Sequence, residues 1–218
     1  MWYKVNKIYV WTNLVRPSSR LPSAYQEVEW IWNSWTQYIE TPFKVQDQYI
    51  YKSKLQYTQL WWWNFGWYYA PWSNSRLYLG LRWDVSPIQR WYWLGSNTGN
   101  LWNVSTWKDY EVEAKLFNGS QYLKVNWTTL HTASFSYSSS YSFLLYVFAE
   151  TYNPWVWPWQ AYAKMYWFKL YNTSNELVLD FVPCYRKSDN VIGMYDLVNN
   201  QFYTNSWSWT FTKWPDVN

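Results

Sequence analysis

The sequence predicts an all-β domain, a sandwich or barrel of about a dozen short strands. Three observations carry this. Apolar and polar residues alternate with a period of two, as where Tyr49, Tyr51, Ser53, Leu55 and Tyr57 interleave with Ile50, Lys52, Lys54, Gln56 and Thr58. Clusters of Asn, Ser, Gly and Pro punctuate these runs at short spacing. No stretch reads convincingly as a helix.

The elements follow in order. Residues 1–22 form a small separate unit. It has an alternating strand, a Trp11-Thr12-Asn13 turn, a short return and a Pro-Ser-Ser-Arg-Leu-Pro linker. Its expected role is an attachment or oligomerisation hairpin; the alternative is an edge hairpin on the main domain. Residues 23–40 read as two strands around a tight turn, and residues 43–59 as a strand with one wet face. Residues 60–75 are loop-rich. Leu77, Leu79 and Leu81 mark the next strand, and residues 90–94 another, ended by Gly-Ser-Asn-Thr-Gly-Asn. Tyr110, Val112, Ala114 and Leu116 alternate with charged residues up to Asn118-Gly119, the strongest hairpin signal in the chain. Residues 121–125 return, and Asn126-Trp127 resembles a second Asn-Gly turn. The run Ser-Phe-Leu-Leu-Tyr-Val-Phe-Ala at 142–149 reads as a central strand buried on both faces. Residues 160–171 and 176–182 give two strands around Asn172-Thr173-Ser174-Asn175. Residues 191–197 and 201–204 give two more around Val198-Asn199-Asn200, since Asn tolerates positive φ. Gly193 marks a bulge or a close backbone approach.

Composition excludes several classes. The chain has 218 residues, a net charge of +4 and 15% charged residues, with Lys and Arg scattered. No block of like charge forms a nucleic-acid groove. Cys184 is the single cysteine, so no internal disulfide is possible and a buried small hydrophobe is expected. His131, the single histidine, lacks neighbours at metal-ligand spacing and is expected on a surface or turn. Neither a nucleophile elbow nor a phosphate loop is present, and no cofactor is expected. The N-terminus lacks the apolar core of a signal peptide, and no apolar run is long enough for a membrane span.

Residues 181–217, FVPCYRKSDNVIGMYDLVNNQFYTNSWSWTFTKWPDV, carry a long and specific pattern. So does the stretch with Glu29, Ile31, Thr36, Gln37, Tyr38 and Ile39. Both resemble concanavalin A-like, laminin-G-like jelly-roll domains of phage tail-associated and gut-bacterial surface proteins. The leader Lys-Ile-Tyr-Val-Trp-Thr-Asn-Leu-Val-Arg-Pro resembles the segment that precedes such domains in phage tail proteins. The resemblance implies a two-sheet antiparallel jelly-roll sandwich over residues 23–218, preceded by the attachment hairpin at 1–22.

The departures from that pattern are of one kind. Trp35, Trp207, Trp209 and Trp214 stand where the family has glycine, and Trp11 does so in the leader. The chain holds 23 Trp and 6 Gly, against roughly 15 glycines at average usage. The excess falls in turn contexts, such as Trp61-Trp62-Trp63-Asn64 and Asn126-Trp127-Thr128. The expectation is a reassigned genetic code: many of these codons are UGA, read as glycine in the source organism. Trp30 and Trp67 fit aromatic strand positions as true tryptophan. The alternative is that the tryptophans are genuine and enriched for binding.

The resemblance includes glucanases, whose signature places three carboxylates at alternating strand positions. Glu27/Glu29 and Glu111/Glu113 are pairs that each lack the third, and read as solvated strand faces. The expectation is therefore binding without catalysis. An aromatic platform with planar polar groups would take a sugar, whose C–H face is apolar and whose hydroxyls need partners. Trp67, Tyr68, Tyr69, Arg90, Trp91, Trp93 and Asn97 are the candidate ligand-binding residues. The resemblance implies a phage tail-fibre or appendage protein that binds host surface glycans. It would contact other virion proteins through residues 1–22, and a homotrimer is the usual state of such appendages. The alternative is a carbohydrate-binding adhesin module of a bacterial cell-surface protein.

Overall fold

The computed structural model describes residues 20–34, 36–44, 48–59, 65–66, 77–82, 89–94, 96–134, 144–152, 155–157 and 162–217. The leader hairpin up to residue 19 and Trp35 lie outside the described residues.

The strands in order are β1 (Tyr25–Asn33), β2 (Ile39–Lys44), β3 (Ile50–Tyr57), β4 (Phe65–Gly66), β5 (Leu77–Arg82) and β6 (Gln89–Leu94). Next come β7 (Ser96–Asn103), β8 (Asp109–Phe117), β9 (Ser120–Val125), β10 (Thr128–Ala133), β11 (Leu144–Val147) and β12 (Glu150–Tyr152). The last are β13 (Trp155–Trp157), β14 (Ala163–Tyr171), β15 (Leu177–Arg186), β16 (Ile192–Asp196), β17 (Gln201–Thr204) and β18 (Thr212–Asp216). The described residues contain no helix, and every strand pairing among them is antiparallel.

Ten strands join in one sheet, in the order β10-β9-β8-β3-β14-β1-β15-β16-β17, with β18 beside β1. β1 is the seam. Its first residues pair with β15 and its last with β14, and β18 pairs with it from Val28 to Trp32. The predicted alternation is met on β3 and β8, where every second residue is buried. The inward set includes Tyr51, Leu55 and Tyr57 of β3, Val112, Ala114 and Leu116 of β8, and Phe168 and Leu170 of β14. Ile39 of β2 and Leu145 and Val147 of β11 enter the same core from a separate two-stranded sheet. The result is an all-β sandwich.

The two stretches that carried the family resemblance meet in space. Gln37 Nε2 donates to the Thr210 carbonyl at 3.1 Å, and Thr36 Oγ1 to the Ser208 carbonyl at 2.9 Å. The Tyr38 N–H donates to Asn205 Oδ1 at 2.9 Å. Asn205 Nδ2 in turn donates to the carbonyls of Trp207, Ser208 and Trp209. The 206–210 loop therefore closes on a side-chain clamp, and its polar sequence satisfies backbone groups that a sheet edge would leave unpaired.

Gly193 is a close approach, not a bulge. It pairs in register with Thr204, and a Cβ there would lie 2.0 Å from the Tyr203 carbonyl oxygen. Cys184 is fully buried as expected, and burial pushes its thiol up to about 12.

Several expectations are corrected. The Gly-Ser-Asn-Thr-Gly-Asn segment read as a loop runs largely within β7, which pairs with β6. β11 is buried on both faces but pairs only with β2 among the described residues, so it is not a central strand of the large sheet. His131 lies within β10, half-buried, where burial lowers its pKa; it is neither a turn nor a fully exposed residue.

Candidate functional site

The outward face of the large sheet carries a continuous strip of aromatic and planar polar side chains. It begins on β1. Trp30 and Trp32 are two residues apart and share the face opposite the buried Ile31 and Asn33. The register sets Trp32 beside Lys164 of β14. The Lys164 ammonium sits over the Trp30 ring, 4.2 Å from its centroid, and 5.1 Å from that of Trp107. Trp32 Nε1 donates to Thr58 Oγ1 at 3.1 Å. Both Trp30 and Trp32 are half-buried, Trp32 anchored at its Nε1 edge and Trp30 under the Lys164 ammonium.

The strip continues across β14, β3 and β8. Tyr166 lies under the Lys54 ammonium, 4.7 Å from the ring centroid, and donates its hydroxyl to Asp109 Oδ1 at 3.1 Å. Burial first, then the Asp109 carboxylate, pushes the Tyr166 hydroxyl up to about 12, so it remains a proton donor at neutral pH. Gln56 Nε2 donates to the same Asp109 oxygen at 2.8 Å. Lys54 pairs with Asp109 Oδ2 at 3.2 Å.

Towards β9 the strip becomes an ion-pair cluster. Glu113 pairs with Lys52 at 3.1 Å and with Lys124 at 3.1 Å, and accepts from the Tyr122 hydroxyl at 2.6 Å. Burial pushes the Glu113 carboxyl up, but the hydrogen bonds from Tyr122, Lys124 and Lys52 outweigh it and hold the group below its usual range. The expectation of a merely solvated Glu111/Glu113 pair is thereby corrected for Glu113, which is locked between two strands. A shallow dent of about 50 Å³ lies here, lined by Lys52, Glu111, Glu113, Lys124, Trp127 and Trp167. Small-molecule pockets enclose roughly 300–1,000 Å³, so this face suits a ligand laid on the surface, not one swallowed by a cavity.

The candidate residues named from sequence that the structure describes fall on other strands. Trp67, Tyr68 and Tyr69 lie outside the described residues. Arg90, Trp91 and Trp93 are on β6 and Asn97 on β7, in a four-stranded sheet ordered β4-β5-β6-β7. The register sets Asn97 beside Trp93. Sequence reasoning marked Trp30 as an aromatic strand position but did not connect it to Lys164, Tyr166 or Asp109. No local signal joins them; only the β1–β14–β3–β8 register does.

No group of three or more His, Cys, Asp or Glu side chains able to hold a metal ion occurs among the described residues. Among the described residues no helix is long and apolar enough to cross a membrane.

No family model and no curated protein matches the chain. Among solved structures, the chain is similar to a protein of Bacteroides ovatus ATCC 8483, described as a candidate carbohydrate-binding protein, with a TM-score of 0.59 and 13% identity. The superposition covers 88% of this chain and 62% of that one, so this chain matches less than two thirds of the other's length. At that identity the likeness is one of fold, an antiparallel β sandwich.

Proposed function

We propose that this chain is a non-catalytic carbohydrate-binding module with a jelly-roll arrangement of its sandwich. It would belong to a bacterial cell-surface or extracellular protein and bind glycan on the outward face of its large sheet. The observation that carries the reading is the cross-strand row Trp32–Lys164–Gln56–Asp109, with the Lys164 ammonium over the half-buried Trp30 ring and Lys54 paired to Asp109. Stacked rings suit the apolar face of a sugar, and fixed donors and acceptors suit its hydroxyls. The fold likeness to a candidate carbohydrate-binding protein weighs in the same direction. It favours a surface module over the virion appendage that the sequence resemblance put first.

The chemistry of the strip supports binding without hydrolysis. A glycosidase needs one carboxyl kept protonated as general acid beside a second carboxylate. Glu113 is biased the other way, held ionised by Lys52, Lys124 and Tyr122.

The test is a broad glycan array followed by titration of the best hit. Trp30→Ala is expected to weaken binding about tenfold, the equivalent of ~1.4 kcal/mol, with no reducing ends released from the glycan. No hit across the array, or unchanged affinity in both Trp30→Ala and Trp32→Ala, would sink the proposal.

A further inference from the structure

Nine non-glycine residues have positive φ among the described residues, and three of them are tryptophans: Trp107 at 60°, Trp127 at 68° and Trp209 at 71°. Five of the other six are Asn or Gln, whose short or flexible polar side chains suit turns (Asn126, Asn175, Asn190, Asn200 and Gln48). The sixth is Phe148 at 73°, and its ring shows what a bulky residue needs to hold such a backbone. Phe148 is 1% exposed and packs on Phe211 with ring centroids 5.6 Å apart. Burial of that ring offsets the steric cost of its φ.

The three tryptophans have no such offset. Trp107 is 63% exposed, Trp127 83% and Trp209 78%. The Trp107 ring gains the Lys164 contact at 5.1 Å, and the Trp127 ring borders the shallow dent. Neither is buried by its contact. In the left-handed region the Cβ of any residue but glycine crowds the following carbonyl. A bulky ring pointing into water at such a site costs stability and returns little.

We infer that positions 107, 127 and 209 are glycine positions, and that the source organism's polypeptide carries glycine there because its code reads these codons so. The inference is narrower than the composition. Trp207 and Trp214 also stand on motif glycines, yet neither has positive φ, and Trp214 lies within β18 opposite Trp30. Among the described residues the backbone asks for glycine at three turns and not at every tryptophan. It also trims the binding face: Trp107 and Trp127 leave it, while Trp30 and Trp32, on regular strand backbone, remain.

Peptide mass mapping of the protein purified from the organism that encodes it is the direct test. Glycine masses at 107, 127 and 209 sustain the inference; tryptophan at any of the three overturns it for the set. Thermal unfolding of the recombinant chain gives a second test, independent of glycan binding. Trp107→Gly, Trp127→Gly and Trp209→Gly are each expected to raise Tm by about 2–4 °C. Trp214→Gly, within a strand, is expected to lower it. A lower Tm in all three turn variants would overturn the inference. A failed glycan array would leave it standing, because neither readout involves a ligand.

Discussion

The two turns that flank β9 differ in one residue and teach what the others conceal. Asn118-Gly119 joins β8 to β9 in a two-residue loop, with Phe117 facing Ser120. Asn126-Trp127 joins β9 to β10 in a loop of the same length, with Val125 facing Thr128. The second position has φ of 75° in the first turn and 68° in the second. Gly119 meets nothing within 4 Å of where its Cβ would be, so the space is open and the backbone alone selects glycine. At Asn126-Trp127 both residues have positive φ, as a type I′ turn requires. The Asn126 side chain also secures its turn by accepting from the Glu111 N–H at 2.9 Å. The hairpin geometry is thus fixed by strand register and by asparagine, and tryptophan is carried along against its own preference.

The comparison breaks most sharply at the positions where ring or hydrogen atom is required. Phe148 is the tryptophans' opposite, a positive-φ aromatic that the core needs. Phe148→Ala keeps the strained backbone and empties the core, and is expected to cost about 3–5 kcal/mol. Chemical denaturation measures it, and a loss below that of Trp209→Ala would contradict the contrast between buried and exposed rings. Gly193 is selected by space, since Tyr203 O and the Phe202 ring leave no room for a Cβ. Gly193→Ala is expected to cost about 3 kcal/mol or to prevent folding, because the obstacle is backbone and cannot swing aside.

A smaller effect sharpens the hairpin comparison itself. Gly119→Trp puts the second turn's ring at the positive φ of the first, and is expected to cost about 1–2 kcal/mol. The denaturation midpoint checks it. A neutral result would mean that a two-residue hairpin in this sheet tolerates bulky residues at positive φ, and that Trp127 is not strained.

Much of this was legible in the residues. Alternation placed β3 and β8, and Asn-rich pairs placed both β9 turns and the β16–β17 turn, because period and turn chemistry are local properties. β7 was missed since Ser-Asn-Thr-Gly-Asn is loop-like by composition, and only pairing with β6 makes it a strand. The apolar run of β11 showed burial on both faces but not which sheet it would join. The candidate site was the least legible part. Trp30, Lys164, Tyr166 and Asp109 come from three strands far apart in the chain, and sequence distance hides a cross-strand row. Glu111 and Glu113 looked alike in sequence. Their difference depends on β3 and β9 delivering Lys52 and Lys124 to one of them.

That last difference gives the smallest predicted effect. Glu113 sits between the two turns, bonded to Lys124 and Tyr122 of β9 and to Lys52 of β3. If the hairpin is held by register and cross-strand bonds, loosening Glu113 should destabilise both turns together. Glu113→Gln keeps the shape and removes the charge, and is expected to cost about 1 kcal/mol at neutral pH, since the lysines are partly solvated. The sign with pH follows from the lowered carboxyl of the folded state. Its contribution is fully present above the ordinary glutamate range and is lost as pH falls through the lowered folded value. The stability difference between wild type and Glu113→Gln should therefore shrink on acidification, as read from urea midpoints at pH 7 and pH 3. A difference that persists unchanged in acid would assign the loss to packing, and the hairpin would owe its register to the turns alone.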